Sequence, residues 1–213
     1  NPKGGGKADA GVIRLLEDTT GDGRFDRSVR FADGIRWPTS VCCFDGGVFV
    51  LAPPHIHYFK DTDGDLVADI RRIVFTGFAR GNVQSLASNM KWGLDNQITL
   101  AGGRNGGTLS HDGKPVITLG RVDFSFDPRT LKVTTLTGGS QFGSSFNDWG
   151  NRFVCSNSNH IQHVLLEHRY LSRHPGLSPP SSIRTIAAAG AAAPVFRRSS
   201  AEPWRVVRTR RRV

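Results

Sequence analysis

Two short loops of this sequence carry oxygen-bearing side chains at alternate positions. We call residues 18–26 the first acidic loop and residues 61–69 the second acidic loop. Alternate spacing in a tight loop turns these oxygens inward together, and calcium takes roughly six to eight hard oxygen ligands. The predicted calcium ligands are Asp18, Thr20, Asp22 and Asp26 in the first loop and Asp61, Asp63, Asp65 and Asp69 in the second.

The two loops differ in ways that predict unequal affinity for calcium. Thr20 stands in the first loop where the second has the carboxylate of Asp63, so the first site carries less charge. Leu66 stands where a glycine usually permits the sharp turn, and we expect backbone strain there. An Asp/Gly turn without metal is the alternative for both loops. Crowded carboxylates repel one another without a cation, and this favours calcium, bound more tightly by the second loop.

Other chemistry has little support in the motifs. The sequence has no zincin, hydrolase-elbow or P-loop motif. Its three cysteines, Cys42, Cys43 and Cys155, allow at most one disulfide and form no C-x-x-C pair, so no covalent haem site is expected. His55 and His57 are predicted to share one face of a strand, because their spacing is two.

Internal repeats indicate the architecture. Residues 12–26 align with residues 55–69 at an offset of 43, which is close to the period of a four-stranded propeller blade. A second pattern, a polar turn followed by a β-rich run, recurs around Asp45, Asp95 and Asp148. Each occurrence predicts a β-hairpin, so we expect about three to four blades of a larger propeller.

Composition agrees with a turn-rich all-β protein, with 25 glycines and 11 prolines among 213 residues. Further strands are predicted at 71–76, 115–119, 121–126 and 131–136. We expect one partial propeller domain over residues 1–213, with a Ser/Pro/Ala-rich excursion or linker at 174–200.

Charge and hydropathy bear on the partners. The net charge of +10 lies mostly in residues 169–213, which hold ten arginines and one acid, Glu202. A nucleic-acid-binding domain would need a basic face on the folded part as well, so that function is not expected. No apolar run reaches the roughly 20 residues of a membrane span.

Several motifs together resemble a known family. They are Leu15 to Asp26, Phe31 to Ile35, Trp37 to Val41, Tyr58 to Asp69, Trp92 to Asn96, Ser140 to Gly143, Asp148 to Phe153, Arg169 to Arg173 and Glu202 to Arg210. The combination resembles the N-terminal β-propeller of the large membrane-bound dehydrogenases of planctomycetes and verrucomicrobia. Those proteins are related to quinone-dependent glucose and sorbosone dehydrogenases and often carry a c-type cytochrome domain.

The resemblance implies a six-bladed propeller that continues beyond both ends of this chain, exported to the periplasm or the extracellular space. It implies oxidation of a sugar or alcohol by pyrroloquinoline quinone, with the cytochrome domain of the parent protein as a partner. Arg104 and Asn105 are candidate cofactor contacts in a loop facing the central pocket. Residues 202–210 are expected to begin a further blade strand.

Two departures from the family pattern weigh against catalysis. The family has Gln-His before its Trp-Gly-Leu-Asp motif, whereas Gln84 is followed here by Ser85, and the catalytic residues stay unassigned. Asn147 stands where an Asp is common. The alternative function is a non-catalytic, calcium-stabilised propeller that binds carbohydrate or a protein partner, and this chain alone is expected to be inactive.

Overall fold

The computed structural model describes residues 9–120, 122–174, 176, 181–190, 200 and 202–210. In this part of the chain, sixteen β-strands form four antiparallel sheets, none of which closes on itself. The all-β prediction is therefore confirmed.

The first sheet has two strands, β1 (Gly11–Glu17) and β2 (Arg27–Ile35). The second sheet is a meander of β3 (Ser40–Phe44), β4 (Gly47–Ala52), β5 (His55–Lys60) and β6 (Ile70–Phe78). The third sheet contains β7 (Ser88–Trp92), β8 (Ile98–Ala101), β11 (Val122–Phe126) and β12 (Val133–Thr137). The fourth contains β13 (Gly143–Phe146), β14 (Arg152–Cys155), β15 (Gln162–Val164) and β16 (Ile183–Thr185).

A hairpin of β9 (Gly107–His111) and β10 (Lys114–Leu119) leaves the third sheet between β8 and β11. Its strand β9 pairs with β6, which extends the second sheet to six strands. The hairpin therefore links two neighbouring sheets through backbone hydrogen bonds.

Each predicted hairpin forms at the start of a sheet. The turn at Asp45 and Gly46 joins β3 to β4, and both residues have positive φ, as a two-residue type I′ turn requires. Longer turns of five residues, around Asp95 and Asp148, join β7 to β8 and β13 to β14. The further strands predicted from residue 71 to residue 136 correspond to β6, β10, β11 and β12, with Arg121 outside the described residues.

The main core fills the space between the second and third sheets. Phe126 packs edge-on against Phe49 and Phe75, with ring centroids 5.2 and 5.3 Å apart. All three rings are almost completely buried, and edge-to-face pairs of this kind are the favoured aromatic geometry. A smaller cluster, which includes Phe31 and Val50, joins the first sheet to the second.

The first strands of the three larger sheets, β3, β7 and β13, lie beside one another. At each contact, two polar residues at the start of one first strand form hydrogen bonds with the first strand of the next sheet or the residue before it. We call this contact the inter-sheet clasp. At the first clasp, Thr39 Oγ1 donates to Ala87 O at 2.8 Å, and Ser40 Oγ accepts from Met90 N at 2.8 Å.

The clasp recurs one sheet further along the chain. Ser88 Oγ donates to Phe142 O at 3.0 Å, and Asn89 Oδ1 accepts from Ser144 N at 2.9 Å. Ser144 lies in β13 where Met90 lies in β7, and the backbone N–H of each donates in its clasp. The buried hydroxyl of Ser144 has no hydrogen-bond partner among the described residues.

Two expectations for the C-terminal region need comment. The predicted strand at residues 202–210 is wrong, because Pro203–Arg210 form a helix, α2, whose first position suits a proline that lacks an N–H. Within residues 174–200, β16 pairs with β15 as a regular sheet strand. Residues 175, 177–180 and 191–199 of that segment lie outside the described residues.

Candidate functional site

The two acidic loops occupy equivalent places in the fold. The first joins β1 to β2 and the second joins β5 to β6, and each is closed by a backbone hydrogen bond across its base. Asp26 N donates to Glu17 O and Asp69 N donates to Lys60 O, both at 3.0 Å. The sequence repeat of 43 residues is therefore also a structural repeat.

The first aspartate of each loop organises the turn by accepting backbone hydrogen bonds. Asp61 Oδ1 accepts from Gly64 N at 2.7 Å, and Asp61 Oδ2 accepts from Leu66 N at 2.9 Å. Asp18 accepts in the same way from Gly21 N and Gly23 N. The bond from Gly64 in the second loop, followed by those from Leu66 and Asp63, lowers the pKa of Asp61, and the bond from Gly23 lowers the pKa of Asp18. Both carboxylates therefore stay ionised at neutral pH.

The second loop gathers three carboxylates. Oxygen atoms of Asp61, Asp63 and Asp65 all lie within 4.8 Å of one another. Asp63 and Asp65 are exposed and Asp61 is half-buried, so water and ions can reach the group. Three anionic oxygens at this separation match the hard-oxygen ligation of calcium, so these residues fit the ion.

The fourth predicted ligand of each loop has a different position. Asp69 Oδ2 accepts from both Thr62 N and Thr62 Oγ1, and it is not part of the group of three. Asp26 accepts the corresponding two bonds from Thr19. These aspartates close their loops, which agrees with a ligand position that often contacts calcium through water.

The first loop is organised less fully for an ion. Its carboxylates form no comparable group in the part of the chain that the structure describes. Thr20 Oγ1 lies 3.3 Å from Asp18 Oδ1 and donates to it, so an oxygen predicted to face the ion bonds to a neighbouring ligand instead. The geometry therefore ranks the second loop above the first, in the order that the sequence predicts.

Ser85, which follows Gln84 where the resemblance led us to expect a histidine, is buried at the end of a short 3-10 helix over Val83–Ser85. Its Oγ accepts from Gln141 Nε2 at 3.3 Å and from Asn82 Nδ2 at 3.4 Å. Its carbonyl accepts from Arg104 N at 3.1 Å and from Asn105 Nδ2 at 3.0 Å. Ser85 thus joins the loops that enter β7 and β13.

The two candidate cofactor contacts differ in their surroundings. Asn105 uses its amide within the protein, because Oδ1 accepts from Asn82 N while Nδ2 donates to the carbonyls of Asn82 and Ser85. Arg104 is exposed and lines a cavity of about 400 Å³ between the third and fourth sheets. The other described lining residues are four glycines and Ser140, Val154, Cys155, Ser156, Gln162 and Ile183, so none is a histidine or a carboxylate.

Sequence analysis did not identify the most deeply buried charged group. Asp123 is completely buried and accepts from Gly102 N, Gly139 N and Ser140 N, as well as from Ser140 Oγ at 2.5 Å. Arg152, which is 3% exposed, donates to Asp123 Oδ2 at 2.9 Å and to Glu167 Oε1 at 3.1 Å. Arg152 also donates to Thr137 O. A charged residue inside an apolar strand is the signal that could have identified both Asp123 and Arg152.

The histidines of β5 share one face, as predicted. The rings of His55 and His57 meet edge to face at 5.3 Å, and His57 stacks on Phe59 at 5.4 Å. Burial, followed by the neighbouring His55, lowers the pKa of His57 to about 4. Burial and the charge of Arg80 lower the pKa of His55 as well.

Comparison with known families identifies the chain. A family model described as a domain of unknown function, DUF7133, matches residues 1–212, so the chain belongs to this family. No curated protein matches the chain, and no solved structure does. Among the described residues, no helix has the length and apolarity needed to cross a membrane.

Proposed function

We propose that this chain is a portion of a six-bladed β-propeller that works outside the cytoplasm as a non-catalytic, calcium-stabilised binding module for carbohydrate or a protein partner. Three successive sheets each have four antiparallel strands of their own, apart from the inserted β9–β10 hairpin, and their first strands lie side by side. This arrangement supports the propeller architecture. The clasps at Ser40 and Asn89 repeat one contact between neighbouring sheets, as blades around a common axis would.

The unpaired hydroxyl of Ser144 supports a further contact of β13 in the complete propeller. A buried hydroxyl without a hydrogen bond is costly, and natural structures rarely tolerate one.

The group of Asp61, Asp63 and Asp65 is the observation that carries the proposal of calcium binding. Calcium in the second acidic loop neutralises these carboxylates and ties β5 to β6. Isothermal titration of the folded protein with calcium tests this directly. We expect one tight site that Asp65→Ala removes, with weaker binding at the first loop that Asp22→Ala removes. Absent binding, or equal affinity of the two loops, would contradict the proposal.

The environment of Ser85 carries the choice of a binding module over an enzyme. A serine hydroxyl is a very weak base near neutral pH, and this one already accepts two hydrogen bonds within the protein. The described residues around the nearby cavity supply no other general base. The lining residues do not fit a pocket in which pyrroloquinoline quinone accepts hydride from a substrate while a base removes the proton of the substrate hydroxyl.

Dehydrogenase activity of the parent protein remains the second candidate, and Arg104 is the observation that favours it. An exposed arginine lining a cavity close to Ser85 is suited to an anionic ligand such as a quinone carboxylate. The test is a dye-reduction assay of the full-length protein with quinone and calcium, across sugars and alcohols. Activity that Arg104→Ala abolishes and Ser85→His raises would establish an enzyme. No turnover in the wild-type protein or in Ser85→His would leave the binding module as the function.

A further inference from the structure

A second cavity, of about 410 Å³, lies between the third and fourth sheets. The turns β7–β8 and β13–β14, strand β12 and the short helix α1 (His168–Leu171) all contribute to its wall. We infer that this cavity binds a neutral carbohydrate, with Trp149 as the stacking surface at its rim. Its volume lies within the range of small-molecule sites, roughly 300–1,000 Å³.

The charges of the cavity wall balance. Two acids, Asp95 and Glu167, and two bases, Arg152 and Arg169, line it. Arg152 is 3% exposed and is held by its ion pairs with Glu167 and Asp123. Arg169 donates to the hydroxyl of Tyr170 and lies over that ring. Two acids and two bases give the described wall no net charge, and this favours a neutral ligand over an anion.

Uncharged polar side chains complete the wall. The side chains of Gln97, Thr134 and Thr135 make no hydrogen bond to the residues that the structure describes, and all three residues line the cavity. An amide and two hydroxyls offer both donors and acceptors, which is the pattern that a polyhydroxylated ligand uses. Asp95, whose Oδ1 accepts from Gln97 N, fixes the backbone beside them.

Exposed apolar side chains lie on the cavity wall or next to a lining residue. Leu94 lines the cavity and is 72% exposed, and Trp149, which precedes the lining residue Gly150, is 83% exposed. The turns that carry them touch, because a Cβ on Gly150 would lie 3.3 Å from Leu94 Cδ1. Tyr170, next to the lining residue Arg169, is half exposed at α1. Large exposed aromatics beside a polar cavity are typical of binding sites, and the C–H face of a sugar ring packs on an aromatic face while its hydroxyls reach polar groups.

This inference rests on the proposed binding role for the class of its ligand, and its site is separate from the features discussed above. Neither Arg104 nor any predicted calcium ligand lines the cavity. Carbohydrate binding here and calcium binding in the acidic loops can therefore fail independently of each other.

The test is calorimetric titration of the full chain with neutral hexasaccharides of glucose, xylose and mannose, and with hexagalacturonate as the anionic comparison. We expect at least one neutral hexasaccharide to bind and to change tryptophan fluorescence. Trp149→Ala should weaken that binding about tenfold or more, and Gln97→Ala should weaken it several-fold. Phe25→Ala is the matched control, because this aromatic ring is 71% exposed but lies in the first acidic loop. Its affinity should equal that of the wild type, and circular dichroism verifies that each variant folds.

Three results would overturn the inference. The first is absence of binding by every neutral hexasaccharide at millimolar concentration, and the second is a preference for hexagalacturonate. The third is binding that Arg104→Ala abolishes and Trp149→Ala leaves intact, which places the ligand in the other cavity. That third result would still agree with the proposed binding function. Loss of calcium binding alone would not contradict the inferred carbohydrate site.

Discussion

Gly23 and Leu66 occupy the same position in two acidic loops, 43 residues apart, and both have a left-handed backbone, with φ of 84° and 69°. Glycine adopts this left-handed conformation readily in the first loop, whereas the bulky Leu66 adopts it at a cost in the second. The amide of each residue donates to the first aspartate of its loop, so the conformation is part of the arrangement that gathers the carboxylates.

Leu66→Gly is expected to stabilise the protein by about 0.5–1 kcal/mol, because relief of the left-handed strain exceeds the added entropy of the unfolded chain. Gly23→Ala, at the equivalent position, is expected to destabilise it by about 1 kcal/mol. Urea unfolding of both variants measures the two changes. A loss of stability in Leu66→Gly would mean that packing of the leucine side chain outweighs strain.

Ser40→Ala and Ser144→Ala should differ, although both remove a serine hydroxyl from the first strand of a sheet. Ser40→Ala leaves Met90 N unpaired and should cost about 1–3 kcal/mol. Ser144→Ala removes a hydroxyl without a partner and should be neutral or slightly stabilising in this chain. Equal costs of the two substitutions would mean that the Ser144 hydroxyl has a hydrogen-bond partner in the folded protein.

Arg152→Ala is expected to destabilise the protein by about 3–5 kcal/mol, because it leaves the carboxylate of Asp123 buried without its cation. Arg27→Ala is the matched control, since Arg27 pairs with Glu17 at the surface and should contribute less than about 1 kcal/mol. Denaturant unfolding of the two variants provides the comparison. A cost below about 1 kcal/mol for Arg152→Ala would mean that the buried network does not hold the third and fourth sheets together.

Stability should fall as the pH is lowered from about 6.5 to about 4. The pKa of His57 is about 4 in the folded protein, so the unfolded chain binds more protons throughout that interval. His57 is only half-buried, and after allowance for solvent screening we expect a loss of about 1–2 kcal/mol. His57→Phe should flatten the pH dependence of the melting temperature while keeping the contact with Phe59. An unchanged profile in that variant would assign the pH dependence to other groups.

The sequence predicts the repeated parts of this structure well, because their signals are local. The Asp-Gly turn at Asp45 requires positive φ, and the alternating oxygens of the second loop specify a tight turn, so both appear where expected. Contacts between sheets are not local. Nothing near Asp123 in the sequence indicates that Arg152 neutralises it, and nothing near β6 indicates that β9 will pair with it.

The C-terminal helix was missed for a different reason. The alternation of apolar and charged residues after Trp204 is compatible with either a strand or a helix, and the family resemblance favoured a strand. Pro203 at the first position and the absence of a pairing strand among the described residues allow the helix α2 instead. The burial of Ser85 and its hydrogen bond from Gln141 could not be predicted, because they depend on loops far apart in the chain.

We propose that calcium in the second acidic loop stabilises this all-β chain, and the melting temperature with and without calcium tests this most directly. Calcium at about 100 times its dissociation constant should stabilise the wild type by about 2.7 kcal/mol relative to the chelated protein. Asp65→Ala should lose most of that gain, and Asp22→Ala should keep most of it. A melting temperature that calcium leaves unchanged in the wild type, or a gain that survives Asp65→Ala in full, would contradict the account.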